Sequence, residues 1–368
     1  MANSKTMAYR SLIRPILFRM DPERAHHLAL GALRFASALA PLRSFLAALY
    51  RPKVAGMSQE IWGLHFEHPV GLAAGFDKDA RVVPALQSLG FAFVEVGAIS
   101  SQARPGNPRP RIFRLPADRA LINRMGLPND GARVIASRLE QLSRPSVPIF
   151  ANIVKTADLE GDAATMAADY VETLEAVLPW VDGFTVNISC PATPNLRTLG
   201  QQDAMFELLK TLGEARDRGV RDCGGARRPL ILKVSPDVDD AEAAAIVAAS
   251  KEGLLDGLVL TNSTTTRPSS LAAPSSVTSQ KGGLSGQPLF AIALSRVRHF
   301  AAATEGQIPI IAVGGISNAG QARAMLDAGA SLVEVLTAFV YEGPGLVKSI
   351  ATGLESGGWR PMRPDFCD

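Results

Sequence analysis

A chain of 368 residues, 47% hydrophobic and 20% charged, can build one sizeable core and is ordinary for a globular protein. Its three cysteines (Cys190, Cys223, Cys367) form no C-x-x-C pair, which argues against a disulfide framework or a metal site and for a reducing compartment. No apolar run reaches the roughly 18–20 residues that span a bilayer, the first residues lack a cleavable-signal pattern, and no nucleic-acid partner is expected.

The net charge of +3 is unevenly spread. Residues 1–53 hold nine basic side chains against two acids, Asp21 and Glu23, so this segment is +7 and the remainder −4. Tyr9, Leu12, Ile13, Ile16, Leu17 and Met20 recur at spacings of three and four, one apolar helical stripe. Pro15 inside it should kink or restart the helix. Asp21-Pro22-Glu23 reads as the N-cap, first-turn proline and first-turn acid of a second helix. That helix carries Leu28, Ala32, Phe35 and Leu39 on one side and is expected to end at Pro41. Two amphipathic helices with basic flanks suit a membrane-surface anchor or a helical pair packed on the body, and periodicity leaves both open. The chain divides on this reading into 1–53 and 54–368.

Residues 57–69 read as a hairpin around Gly63. The pattern then alternates between short apolar runs (70–74, 91–96, 149–153, 184–188, 230–234, 258–260, 310–313 and 332–336) and Ala- and Leu-rich helical stretches such as 162–178, 239–251 and 318–328. Short, uniformly apolar strands are those of a parallel sheet buried on both faces. Eight such units predict an α/β protein of the (β/α)8 barrel type, in preference to an open doubly wound sheet, because no Gly-x-Gly-x-x-Gly follows the first strand. Two long stretches, 99–129 and 264–282, follow predicted strands and so should border the active face.

The polar residues collect where predicted strands end. They include Ala74, Gly75 and Lys78, then Asn152 and Lys155, then Asn187, Ser189 and Cys190. Lys233 and Ser235 follow, then Thr261, Asn262 and Ser263, then Gly314 and Gly315, and finally Thr337. A lone Cys is more often an inert small hydrophobe, a Lys more often solvated, and an Asn more often a turn residue. Amides, lysines and one thiol around one barrel mouth are harder to explain as packing, because buried Lys and Asn are costly unless paired. The set suits a planar, hydrogen-bonding, anionic ligand. Val313-Gly-Gly-Ile-Ser-Asn-Ala-Gly320 lies where barrels bind phosphate, and with Lys233 it points to flavin mononucleotide (FMN).

From about Tyr9 to Gly345 the chain resembles the class 2, quinone-linked dihydroorotate dehydrogenases. The resemblance is carried by Asp21-Pro-Glu-Arg-Ala-His26, Gly71-Leu-Ala-Ala-Gly-Phe-Asp-Lys-Asp79, Pro105-Gly-Asn-Pro-Arg-Pro-Arg-Ile-Phe-Arg-Leu115 and Ile122-Asn-Arg-Met-Gly126. Asn187-Ile-Ser-Cys-Pro191, Thr261-Asn262, Gly282-Gly-Leu-Ser-Gly286 and Val313-Gly-Gly-Ile316 add to it. The resemblance implies FMN held by Ala74, Gly75, Asn152, Asn187, Lys233, Thr261, Gly286, Gly314, Gly315 and Thr337. It implies a substrate, dihydroorotate or a related cyclic amide, met by Lys78, Asn123, Asn187, Asn262 and Ser263. Cys190 would be the base, and a membrane quinone would enter between the N-terminal helices near His26 and Arg114. Residues 1–53 would be the membrane and quinone-access segment, and 54–368 the FMN-binding barrel with its hairpin, bound peripherally at the cytoplasmic face of the inner membrane. Six positions depart from the family pattern: Cys190 where this branch usually has Ser, Ala192 for a substrate-binding Asn, Leu127 for an aromatic, Leu336 for a Tyr, Val154 for a Gly beside Asn152, and Ala98 for a hydroxyl residue. Alternative readings are a paralogue that keeps FMN but takes another cyclic substrate, and a barrel that has lost its chemistry.

Overall fold

The structure is a computed structural model and describes residues 9–142, 146–188 and 201–361. Strands are numbered in chain order. A hairpin of β1 (Gln59–Ile61) and β2 (Leu64–Phe66) turns through Trp62 and Gly63, both at positive φ, which is why a glycine stands there. Ile61 and Phe66 pack with Phe93, Phe150, Ile231, Val259, Ile311 and Leu332, so the hairpin caps one end of the barrel.

The barrel itself comprises β3 (Val70–Leu72), β4 (Val94–Ile99), β7 (Ile149–Ile153), β8 (Gly183–Asn187), β9 (Leu230–Val234), β10 (Gly257–Leu260), β12 (Ile310–Val313) and β13 (Leu332–Val335). All pairings are parallel, and β13 closes onto β3. These are the eight runs expected from sequence, buried on both faces as their uniform apolarity requires. The helices between them begin at side-chain caps: Asp162 accepts the Thr165 N–H, Asp239 and Glu242 form a capping box, and Asn318 accepts the Gln321 N–H.

Two features differ from the sequence-based expectation. Pro41 does not end the helical segment. Helix α1 (Arg14–Arg19) and helix α2 (Pro22–Ala38) are followed, after a 112° bend, by α3 (Ala40–Tyr50), with Pro41 in its first turn where a missing N–H costs nothing. The stretches 99–129 and 264–282 are not two separate loops. The first folds into the hairpin β5 (Ile112–Leu115) and β6 (Ala120–Asn123), and the second leads into β11 (Gly283–Gly286), which pairs with β6. The resulting three-stranded sheet joins the loop after β4 to the loop after β10. The N-terminal helices pack on the body and leave much of their apolar surface uncovered. Ala25 and Ala36 are buried against the body, while Leu12, Ile13, Ile16, Leu28, Phe35, Leu39 and Phe45 remain exposed.

Candidate active site

The site is built on a line of buried polar side chains across the barrel. Asn262 Nδ2 donates to Asn187 Oδ1 (3.3 Å), Asn187 Nδ2 to Asn152 Oδ1 (3.3 Å), and Asn152 Nδ2 to Glu95 Oε1 (2.7 Å). The other Glu95 oxygen takes Lys233 Nζ at 2.9 Å and the Ala74 N–H at 2.8 Å. Residues just beyond β10 and β3, and others on β8, β7, β4 and β9, thereby form one chain whose donor-to-acceptor direction fixes every amide. Burial would raise the Glu95 pKa, but Lys233, Asn152 and the Ala74 N–H together hold it below the usual carboxylate range. Burial alone would discharge Lys233, yet Glu95 and Glu334 outweigh it and keep the ammonium charged.

Sequence reasoning found Asn152, Asn187, Lys233 and Asn262 but missed Glu95 and Glu334, both 1% exposed. Their signal was available: each is a single acid inside an otherwise apolar strand, Val94-Glu-Val96 and Leu332-Val-Glu-Val335. An acid there needs a partner across the barrel.

Above this line opens a cavity of about 1480 Å³. One arm is polar and lined by Lys78, Asn123, Asn152, Asn187, Asn262 and Ser263. Lys78 is half-buried, and its Nζ donates to Gly75 O at 2.7 Å. Burial pushes its pKa down, opposed by Asp79 and Asp77. The ammonium therefore has one backbone acceptor and room for an anionic group. The Asn262 carbonyl oxygen is taken by the Ser263 N–H at 3.0 Å, which orients this amide toward Asn187.

The second arm runs between the barrel and the N-terminal helices, past Leu17, Ala29, Ala32 and Leu33. His26 and Arg114 both line it. The His26 ring meets Phe76 edge to face at 5.3 Å, and burial first, then Lys78, pushes its pKa down to about 3, so it is neutral. Arg114 donates to Phe18 O (3.2 Å) and Met20 O (2.9 Å) and stacks on the Phe18 ring at 4.7 Å. It therefore fixes the end of α1 to β5 as well as bordering the cavity.

A smaller pocket of about 130 Å³ adjoins the first, bordered by Gly286, Gly314, Gly315, Thr261, Thr337 and Glu334. Its glycines are required by space. A Cβ on Gly286 would lie 2.4 Å from Arg119 O, and one on Gly315 would lie 2.8 Å from both Gly286 O and Phe290 N, each at positive φ. Thr337 Oγ1 meets Ser285 Oγ at 2.9 Å. Cys190 and Ala192 lie outside the described residues. Of the other departures, Ala98, Leu127 and Leu336 line the large cavity, and Val154 is buried.

A profile of the family described as dihydroorotate dehydrogenase matches residues 56–357. The chain belongs to the dihydroorotate dehydrogenase family. Among relatives of this family, a "Dihydroorotate dehydrogenase (quinone)" of Acidithiobacillus ferrooxidans is 43% identical over 362 residues, covering 98% of each chain. One of Sphingopyxis alaskensis is 44% identical over 353 residues, covering 96% of this chain and 94% of its own. Among solved structures, ligand-free dihydroorotate dehydrogenase of Eimeria tenella superposes with a TM-score of 0.79 at 34% identity, covering 93% of this chain and 98% of that one.

Dihydroorotate dehydrogenases are flavin-dependent oxidoreductases, and the residues here suit a flavin. The glycine-walled pocket has room for a compact group, Lys233 is a buried cation beside it, and the line of amides offers both donors and acceptors. No single helix among the described residues is long and apolar enough to cross a membrane.

Proposed function

We propose that this chain oxidises dihydroorotate to orotate, using FMN, and passes the electrons to a membrane quinone. The observation that carries this reading is the two-armed cavity. One continuous space joins an arm of amides and a half-buried lysine to an apolar arm that runs between the barrel and the N-terminal helices.

In this reading Ala74, Gly75, Asn152, Asn187, Lys233 and Thr261 hold the ring portion of FMN, and Gly286, Gly314, Gly315 and Thr337 its phosphate end. A flavin held by these residues would supply two-electron redox chemistry between the substrate's C–H bond and the quinone. Lys78 binds the substrate carboxylate, a charge-assisted contact that sets which end of the ring enters. Asn123, Asn187 and Asn262 pair with the cyclic amide groups, and Ser263 borders them. Cys190 takes the proton from C5. A thiol, with an ordinary pKa of about 8.5, is easier to ionise than a serine hydroxyl at that position.

The apolar arm takes the quinone past His26 and Arg114. The exposed Leu12, Ile16, Leu28, Phe35 and Phe45, with Arg19, Arg24 and Arg34 nearby in sequence, suit peripheral binding to an anionic membrane face and support reading residues 1–53 as a segment bound at the cytoplasmic surface of the inner membrane. A different cyclic substrate has no support among the described residues.

The test is anaerobic reduction. The purified protein is expected to be yellow, to bleach on adding dihydroorotate, and to recover its colour with a short-chain quinone. Absence of bleaching at millimolar substrate would refute the assignment. Cys190→Ser should lower the rate and move its pH optimum upward while orotate still perturbs the flavin spectrum; an unchanged pH profile would remove Cys190 as the base.

A further inference from the structure

The barrel interior holds two carboxyl groups against one lysine. Glu95 uses both oxygens, on Asn152, Lys233 and the Ala74 N–H. Glu334, two strands along on β13, is equally buried and borders the small glycine pocket beside Lys233 and Thr261. Its Oε2 is buried without a hydrogen-bond partner among the described residues. An unpaired buried acceptor costs about 1–3 kcal/mol, and such groups are rare enough in folded proteins that each calls for an explanation.

We propose that Glu334 is a further residue of the cofactor pocket, meeting an N–H on the polar edge of the bound flavin ring through this second carboxyl oxygen. The proposal rests on the flavin reading above.

The charge count gives the group its form. The charged groups facing Glu334 are Glu95 from β4 and Lys233 from β9. One ammonium cannot balance two carboxylates in a low-dielectric interior. Glu334 and Glu95 are also within hydrogen-bonding reach of each other, which requires a proton between them. Burial first, then the Glu95 charge, raises Glu334 well above the carboxylate range, so Glu334 carries that proton. With its O–H turned to Glu95, the remaining oxygen is a neutral carbonyl acceptor. That is the complement of a ring imide N–H, and a poor partner for a phosphate or a second carboxylate.

The experiment strips the flavin from the purified full-length protein and titrates FMN back into wild type, Glu334→Gln and Glu334→Met, followed by flavin fluorescence. Thermal melts of each stripped protein report folding. The Gln amide keeps a neutral acceptor and a donor for Glu95, so this variant should hold FMN within about threefold of wild type, whereas Met should weaken it by about tenfold or more. As the pH rises, wild type should weaken and the Gln variant should stay flat, since only the acid can ionise.

A Met variant that binds FMN as wild type does would overturn the proposal, because the oxygen would then be served by something other than the cofactor. A Gln variant that fails as badly as Met would overturn it too, because the contact would need a charge. If the Met variant does not fold, the pH contrast decides, and an equal response in wild type and Gln variant refutes the assignment. Wild type that takes up no FMN at all overturns the cofactor reading itself, a result separate from any difference between variants.

Discussion

Glu23 stands in the first turn of α2, where sequence reads it as a helix-dipole partner. In the structure it is 4% exposed and accepts from Arg111 Nε (3.2 Å) and Nη2 (2.6 Å), with Arg109 Nε at 2.9 Å from its other oxygen. Arg111 spends its remaining nitrogen on Pro105 O (2.7 Å) and Asn107 O (2.9 Å). One carboxylate thus fastens the N-terminal helices to the loop that leads into β5 and β6. Removing one partner of a buried pair costs about 3–5 kcal/mol. Glu23→Gln keeps an acceptor, and Arg109 is well exposed, so the low end, about 3 kcal/mol, is expected; Glu23→Ala should approach about 4 kcal/mol by the same rule.

The pH response fixes the cause. The Arg111 hydrogen bond, against the opposing effect of burial, holds Glu23 below its ordinary value of 4.5. A pKa lowered on folding contributes stability above the unfolded value and loses it as pH falls through the folded one. The gap between wild type and Glu23→Gln should therefore be full at pH 7 and narrow below about 4.5. Urea unfolding in detergent at both pH values measures it. A gap under about 0.5 kcal/mol at neutral pH, or one that does not close on acidification, would refute the reasoning.

Three further outcomes are expected. Lys78→Met should raise the KM for dihydroorotate by about 10–150-fold, from the loss of about 1.5–3 kcal/mol of charge-assisted pairing, while flavin content stays constant; a change below about threefold would show that the ammonium does not meet the carboxylate. His68 donates from Nε2 to Gly90 O (3.0 Å) and accepts the Val70 N–H at Nδ1 (3.2 Å), and burial lowers its pKa from 6.5 to about 4. Because the unfolded chain takes the proton first, stability should fall below pH 6.5 by about 1.4 kcal/mol per unit, and His68→Gln should show a shallower loss of melting temperature between pH 7 and 5; equal slopes would count against it. Phe35 and Phe45 are 64% and 60% exposed, so changing both to Asp should cut co-sedimentation with anionic vesicles by about tenfold or more without slowing turnover with a water-soluble acceptor. Equal sedimentation would rule out this face as the membrane contact.

The sequence announces the barrel because its strands are uniformly apolar and its helices open on Asp or Asn caps, both local signals. It announces most of the site because Lys and Asn at strand ends are conspicuous. What it hides is long-range. The pairing of β6 with β11 joins Asn123 to Gly283 across some 160 residues, and nothing local marks it. Glu95 and Glu334 look like interruptions until the barrel brings them to one lysine. Pro41 misleads because a proline that stops one helix is equally suited to start the next. Glu23 misleads in the same way, since its first-turn position already has a sufficient local reason.

The seam where β13 meets β3 has a consequence for how the protein is made. Val70–Leu72 pairs with β4 at a single position and otherwise with β13, whose residues follow some 260 positions later. Until the ribosome has delivered that last strand, the first one keeps an open edge and the cylinder cannot shut. The glycines at Gly314 and Gly315 and the Thr337 turn belong to the same late stretch. Completion of the glycine-walled pocket is thereby postponed to the final stage of synthesis, and a nascent chain arrested before residue 332 would expose two sticky borders to its neighbours.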